Sequence, residues 1–157
     1  MVTGASMPLK SDPQAEQVYD LEAEINGSWT WSSATTKNLE ALLLTVCKYY
    51  GVEAPKFKVV NTKEVAETAY YAEELIVLNR RREGANGMVL LHEAAHYLVD
   101  CFYADVENHG PEFVAIYMHL LDEYRYLPHR CFRMMAKIHR LRIGRRYRPI
   151  AFKNRGV

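Results

Sequence analysis

Leu39, Leu42, Leu43, Val46 and Tyr50 recur at helical spacing as one apolar stripe and predict a helix from about Lys37 to Tyr50. Thr35 or Thr36 offers its N-cap and Gly51 its stop. Lys56 to Val60 alternates and carries β-branched residues, which predicts a short strand. Ala69 to Tyr71 and Glu74 to Leu78 predict two more, with Leu75-Ile76-Val77-Leu78 the most apolar and the one expected to pair with an extended substrate. Asn79 to Gly84 reads as a polar loop. From Met88 to Tyr103 the chain is apolar nearly all round, which predicts a buried helix. A third helix is expected from Pro111 to about Tyr124, and a fourth from Pro128 to about Ile143, before Gly144. Upstream, Ser11-Asp12-Pro13 would cap a short helix reaching Ile25, broken by Asn26-Gly27-Ser28, with the first ten residues frayed. The division expected is an N-terminal segment over 1–35, partly flexible, a body over 36–127, and a C-terminal helix and tail over 128–157.

Composition changes this picture little. The 157 residues, 49% hydrophobic and 25% charged, suit one globular domain. No apolar run approaches the roughly 20 residues of a membrane helix, and the opening MVTGASMPLKSDPQ has no apolar core of a leader. Cys47, Cys101 and Cys131 form no CxxC pair and no disulfide framework, so a reducing, cytoplasmic setting is expected. Charge changes it more. The net charge of +1 hides a segregation: all 19 acids lie at or before Glu123, and the chain from Arg125 onward is basic without an acid. Such a tail faces either its own acidic body or a polyanion.

The buried helix carries His92, Glu93, His96 and Asp100 on one side. Polar groups on a buried stripe need partners. His92-Glu93-Ala94-Ala95-His96 is an HExxH motif. Residues i and i+4 share a helix face one turn apart, so two imidazoles can grip one zinc ion. The intervening glutamate sits where it can take a proton from an activated water and return it to a leaving amine.

Catalytic zinc takes a third protein ligand and leaves one position open. Val99 and Phe102 exclude the metzincin extension. His109, Glu107, Glu112, Asp122 and Glu123 remain, and His109 is the choice. In Asn108-His109-Gly110-Pro111-Glu112-Phe113, Gly110 permits a tight turn and Pro111 pre-forms the next helix. The positive helix N-terminus there would disfavour the imidazolium. The spacing from His96 lets the helix finish and the chain turn back.

HEAAH followed after about a dozen residues by HGPEF resembles the SprT-like (Spartan-type) zinc metalloprotease domain. Tyr70-Tyr71 and Glu74-Leu75-Ile76-Val77-Leu78-Asn79 also resemble that family's edge strand before the active-site helix. The likeness spans about residues 36–125. It implies an α+β, zincin-like fold, with helices on a small mixed sheet and the HExxH helix under the edge strand. It further implies His92, His96 and His109 as zinc ligands, Glu93 as general base, and activity on proteins associated with DNA. The four-cysteine zinc ribbon of many members is missing, and the basic tail stands in its place.

In that tail Cys131, Met134, Met135, Ile138 and Leu141 are expected to share a docked face, opposite Arg130, Arg133, Lys137 and Arg140. Arg142, Arg145, Arg146 and Arg148 extend the basic stripe, a candidate contact for DNA or RNA phosphates. A membrane partner is not expected, since the apolar face is needed by the core. Asp100 is expected either to orient a ligand imidazole or to pair with the tail. Tyr97, Tyr103 and Tyr117 read as packing and Cys101 as core. The function expected is zinc-dependent hydrolysis of protein or peptide substrates. A nucleic-acid-binding accessory protein with a zincin fold, or a zinc-stabilised interaction module, are the alternatives.

Overall fold

The computed structural model describes residues 12–28 and 32–145, so the expected fraying of the first ten residues, Arg146 and Arg148 lie outside the described residues. Among the described residues, five helices and three strands follow in the order α1 (Ala15–Ser28), α2 (Thr36–Tyr50), β1 (Lys56–Val60), β2 (Ala69–Ala72), β3 (Leu75–Asn79), a 3-10 turn (Arg80–Arg82), α3 (Gly87–Phe102), α4 (Pro111–Glu123) and α5 (His129–Ile138). This is an α+β fold with a small mixed sheet, in a zincin-like arrangement.

Local chemistry accounts for the element ends. Thr35 caps α2 by accepting from the Asn38 amide at 3.2 Å, and Gly51 closes it in the left-handed region at φ 70°. β2 and β3 form a hairpin whose two loop residues, Glu73 and Glu74, both adopt positive φ, as a type I′ connection requires. Two expected boundaries move. α1 runs past Asn26 to Ser28, because weak helix formers at a terminus do not by themselves end a helix. α5 stops at Ile138 rather than Ile143, and Arg140 turns the chain at φ 57°. Beyond it, residues 141–145 run beside the start of α4, where the Gly144 amide donates to the Pro111 carbonyl at 2.8 Å. A Cβ at Gly144 would stand 2.8 Å from that carbonyl oxygen, so the close approach needs glycine.

The strand order is β1-β3-β2, with β1 parallel and β2 antiparallel to β3. The sequence reading of the Ile76 strand as the substrate-pairing edge is therefore corrected. β3 is central, both its edges are used, and Ile76, Val77 and Leu78 are buried. A continuous apolar run marks a strand covered on both faces and leaves its lateral neighbours open; the pairing of β3 with both β1 and β2 puts it in the centre. The edge beside α3 is β2. α3 packs against β2, β3, α2 and α4. α1 joins the same core through Val18, Leu21 and Ile25.

The docked face expected of α5 is also corrected. Phe132, Met135 and Ala136 are buried, whereas Met134 and Ile138 are exposed. The helix is rotated because Phe132, the largest apolar group on it, takes the contact with the Tyr117 ring. Cys101, expected in the core, is exposed.

Candidate metal centre

Within α3, His92 and His96 stand one turn apart on the face turned towards the loop that carries His109. That loop ends at Gly110-Pro111, with proline opening α4. The three imidazoles converge. Each Nε2 lies 3.2 Å from the other two. No other group of three or more His, Cys, Asp or Glu side chains among the described residues comes together this closely.

The donor set fits a metal ion. Nitrogens bound to one tetrahedral zinc at about 2.0–2.1 Å stand about 3.3–3.4 Å apart. The other ring nitrogens set the tautomers. His92 Nδ1 lies 2.5 Å from Glu22 Oε1, and His109 Nδ1 lies 2.8 Å from Asp12 Oδ2. With Nδ1–H donated to a carboxylate, each neutral ring turns an Nε2 lone pair to the shared point. Two lone pairs at 3.2 Å repel unless a cation lies between them. Phe113, the last residue of HGPEF, is fully buried beneath all three rings, with centroids 5.0, 4.4 and 4.8 Å from those of His92, His96 and His109.

Charge is arranged around this point. Burial works against a charged His92, but the charge and hydrogen bond of Glu22 outweigh it and raise its pKa. Burial likewise opposes ionised Glu22, and His92 with the Tyr117 hydroxyl, 2.8 Å away, brings its pKa down. His109 moves the other way. Burial lowers its pKa, Asp12 offsets this in part, and His92 adds to it. Burial thus favours the neutral ring expected of His109. Glu93 is nearly buried. Desolvation raises its pKa, His92 opposes the rise, and Glu22 reinforces it.

The partners Asp12, Gln14, Tyr19 and Glu22 escaped the sequence reading. The sequence marks Asp12 only as a cap. Instead its carboxylate also accepts from the His109 amide at 3.1 Å, and Gln14 donates to the His109 carbonyl at 3.0 Å. The one available signal was the spacing of Glu22 beside the buried stripe of Val18, Leu21 and Ile25. Asp100 faces the Tyr71 hydroxyl. Tyr117 donates to Glu22 and Tyr97 donates to the Glu53 carbonyl at 2.5 Å, and both rings are buried in the core.

Two cavities flank the centre along β2. One of about 510 Å³ is lined by Tyr19, Glu22, Ala69, Val89, His92 and Glu93 among others. A smaller one of about 140 Å³ is lined by Tyr71, Glu73, His96, Asp100 and Glu107 among others.

The expected basic residues that are described, Arg130, Arg133, Lys137, Arg140, Arg142 and Arg145, are all exposed. Arg142 pairs with Glu107 at 3.0 Å, and Arg133 donates to His129 at 2.9 Å. Arg142 is also held through its backbone, its amide donating to Gln14 Oε1 at 2.6 Å. Among the described residues no helix is long and apolar enough to cross a membrane.

Comparisons with protein families, curated proteins and solved structures return no match, so the zincin-like reading of the centre stands on the three-histidine cluster and the His-Glu-x-x-His spacing.

Proposed function

We propose that this chain is a zinc-dependent metallopeptidase of the SprT-like kind, acting on proteins associated with nucleic acid. The observation that carries the reading is the convergence of three Nε2 atoms at 3.2 Å beside a nearly buried glutamate. His92, His96 and His109 would hold the ion, and Glu93 is the general base. Zinc held there supplies Lewis-acid polarisation of a carbonyl and a water acidified towards a pKa of roughly 7.

The chain's own residues do the rest. Asp12 and Glu22 hold two imidazoles in the tautomer that binds metal. Glu93, with a pKa raised by burial, is a stronger base than a free carboxylate once ionised, and takes the water's proton. It then returns that proton to the leaving nitrogen. β2 is an edge strand, and an extended peptide added to it would run between the two cavities past Glu93. The exposed stripe from Arg130 to Arg145 would bring the enzyme to its targets through phosphate contacts. The free thiols Cys47, Cys101 and Cys131 suit a cytoplasmic setting.

The test is zinc-loaded protein incubated with unfolded and DNA-bound protein, with cleavage read by mass spectrometry. New peptide termini that vanish on chelation and return with zinc are expected. One observation favours a second reading, a nucleic-acid-binding accessory protein: the basic stripe is exposed whether or not the centre turns over. One bound zinc with oligonucleotide binding, and no cleavage across folded, unfolded and DNA-bound substrates, would select that reading.

A further inference from the structure

α1 places Tyr19 one turn before Glu22, the carboxylate that holds His92. Its ring lies nearly parallel to the His92 imidazole, with centroids 6.1 Å apart and planes at 11°. It meets His109 edge-on at 5.2 Å. Although it touches two of the clustered imidazoles, Tyr19 is 53% exposed, while Val18, Leu21 and Ile25 of the same helix are buried. It lines the larger cavity together with His92 and Glu93. The neighbouring hydroxyls are committed elsewhere, Tyr117 to Glu22, Tyr97 to the Glu53 carbonyl and Tyr71 to Asp100. A phenol at the mouth of the cavity, over the metal-binding rings and beside the general base, is placed to meet a substrate.

We infer that Tyr19 is a catalytic residue, an inference that rests on the metallopeptidase reading. Its O–H donates a hydrogen bond to the scissile carbonyl oxygen as that oxygen gains charge. The water oxygen bonds to the carbonyl carbon, the C=O π pair moves onto oxygen, and one water proton passes to Glu93. The C–N bond then breaks with its pair going to nitrogen, which takes the proton from Glu93, and the oxygen pair reforms C=O. Tyr19 keeps its proton throughout. Its contribution is greatest while the negative oxygen exists, which is what makes such a donor catalytic rather than merely binding.

Tyr19→Phe keeps the ring against His92 and His109 and removes only the donor. Zinc content and KM should stay at wild-type values, and kcat should fall about 10²–10³-fold. Affinity of the zinc-loaded protein for a dipeptidyl phosphonate, a tetrahedral anion, should fall at least about tenfold, since a donor to a charged group is lost. Equal kcat with a wild type that cleaves, or equal phosphonate affinity, overturns the role of Tyr19 and leaves the metallopeptidase reading intact. Tyr19→Leu adds a control. If Phe keeps full activity and Leu loses it, the ring packs and the hydroxyl has no part. A zinc-loaded wild type that cleaves no protein and binds no phosphonate removes both readings together.

Discussion

The Nδ1 of His109 lies 2.8 Å from Oδ2 of Asp12, a residue 97 positions earlier in the chain. The same carboxylate accepts from the His109 backbone amide, so one side chain fixes both the ring and the peptide that carries it. Glu22 does the like for the His92 ring at 2.5 Å. Two of the three converging imidazoles are therefore oriented by carboxylates that precede α2 in the chain.

That arrangement predicts a measurable dependence of metal binding on these two carboxylates. Asp12→Ala and Glu22→Ala should each weaken zinc about 10–100-fold, the usual effect of losing an orienting carboxylate. Competition titration with a chromophoric chelator reads the change. Wild-type affinity in both variants would show that the imidazoles hold their tautomers without help.

His109→Ala should weaken zinc more than either of those changes, by at least about 10²-fold, because it removes a donor rather than its support. Metal analysis after dialysis should find far less than one zinc per chain. Tight binding retained in the variant would point to Glu112, which lies beside Gly110 in the same turn, as the third ligand.

Glu93→Gln should keep zinc and lose turnover about 10²–10⁴-fold, since an amide cannot take the proton. Stability should move the other way. Burial raises the Glu93 pKa above its ordinary 4.5, so above that raised value the folded state bears the cost of an ionised carboxylate that the unfolded chain does not. The neutral amide removes this cost. A gain of about 1 kcal/mol would raise Tm by about 2–4 °C in the metal-free protein at neutral pH. A lower Tm would show that Glu93 is a structural partner instead.

Zinc binding should release a proton near neutral pH. In the metal-free protein the His92 pKa is raised above its ordinary 6.5, chiefly by Glu22 against the opposing effect of burial. Its ion pair with Glu22 therefore contributes stability fully below pH 6.5 and loses it as pH rises through the raised value. His109, with a lowered pKa, contributes stability above pH 6.5 that is lost as pH falls through its lowered value. Zinc needs both rings neutral, so just above pH 6.5 it displaces mainly the His92 proton. Calorimetry in buffers of different ionisation enthalpy should show this release, and Glu22→Gln should abolish it. Release unchanged in that variant would place the proton elsewhere.

For the basic stripe, about five phosphate contacts give a log-affinity against log-salt slope of roughly −3.5 for single strands and −4.5 for duplex. Replacing Arg130, Lys137, Arg140 and Arg145 by glutamine should flatten the slope and leave zinc content unchanged. Arg142 is left in place because its side chain pairs with Glu107. Oligonucleotide binding too weak to measure at about 50 mM salt would end the nucleic-acid reading.

By itself the sequence determined what local periodicity and covalent spacing control. The stripe of Leu39, Leu43, Val46 and Tyr50 with caps at Thr35 and Gly51 defined α2, and HExxH on an apolar helix defined two converging imidazoles. Gly110-Pro111 marked His109, because a tight turn before a helix start is a short-range signal. The tertiary structure alone decided the strand order, which put the apolar β3 in the centre and β2 at the edge, since an apolar run reports burial and not neighbours. It also decided which way α5 turned, because Met134 and Ile138 could fall on either side of the line set by Phe132. Above all it brought Asp12, Tyr19 and Glu22 to the imidazoles. Side chains 70 and 97 residues from their partners leave no periodic trace, and only packing of α1 through Val18, Leu21 and Ile25 sets their distance.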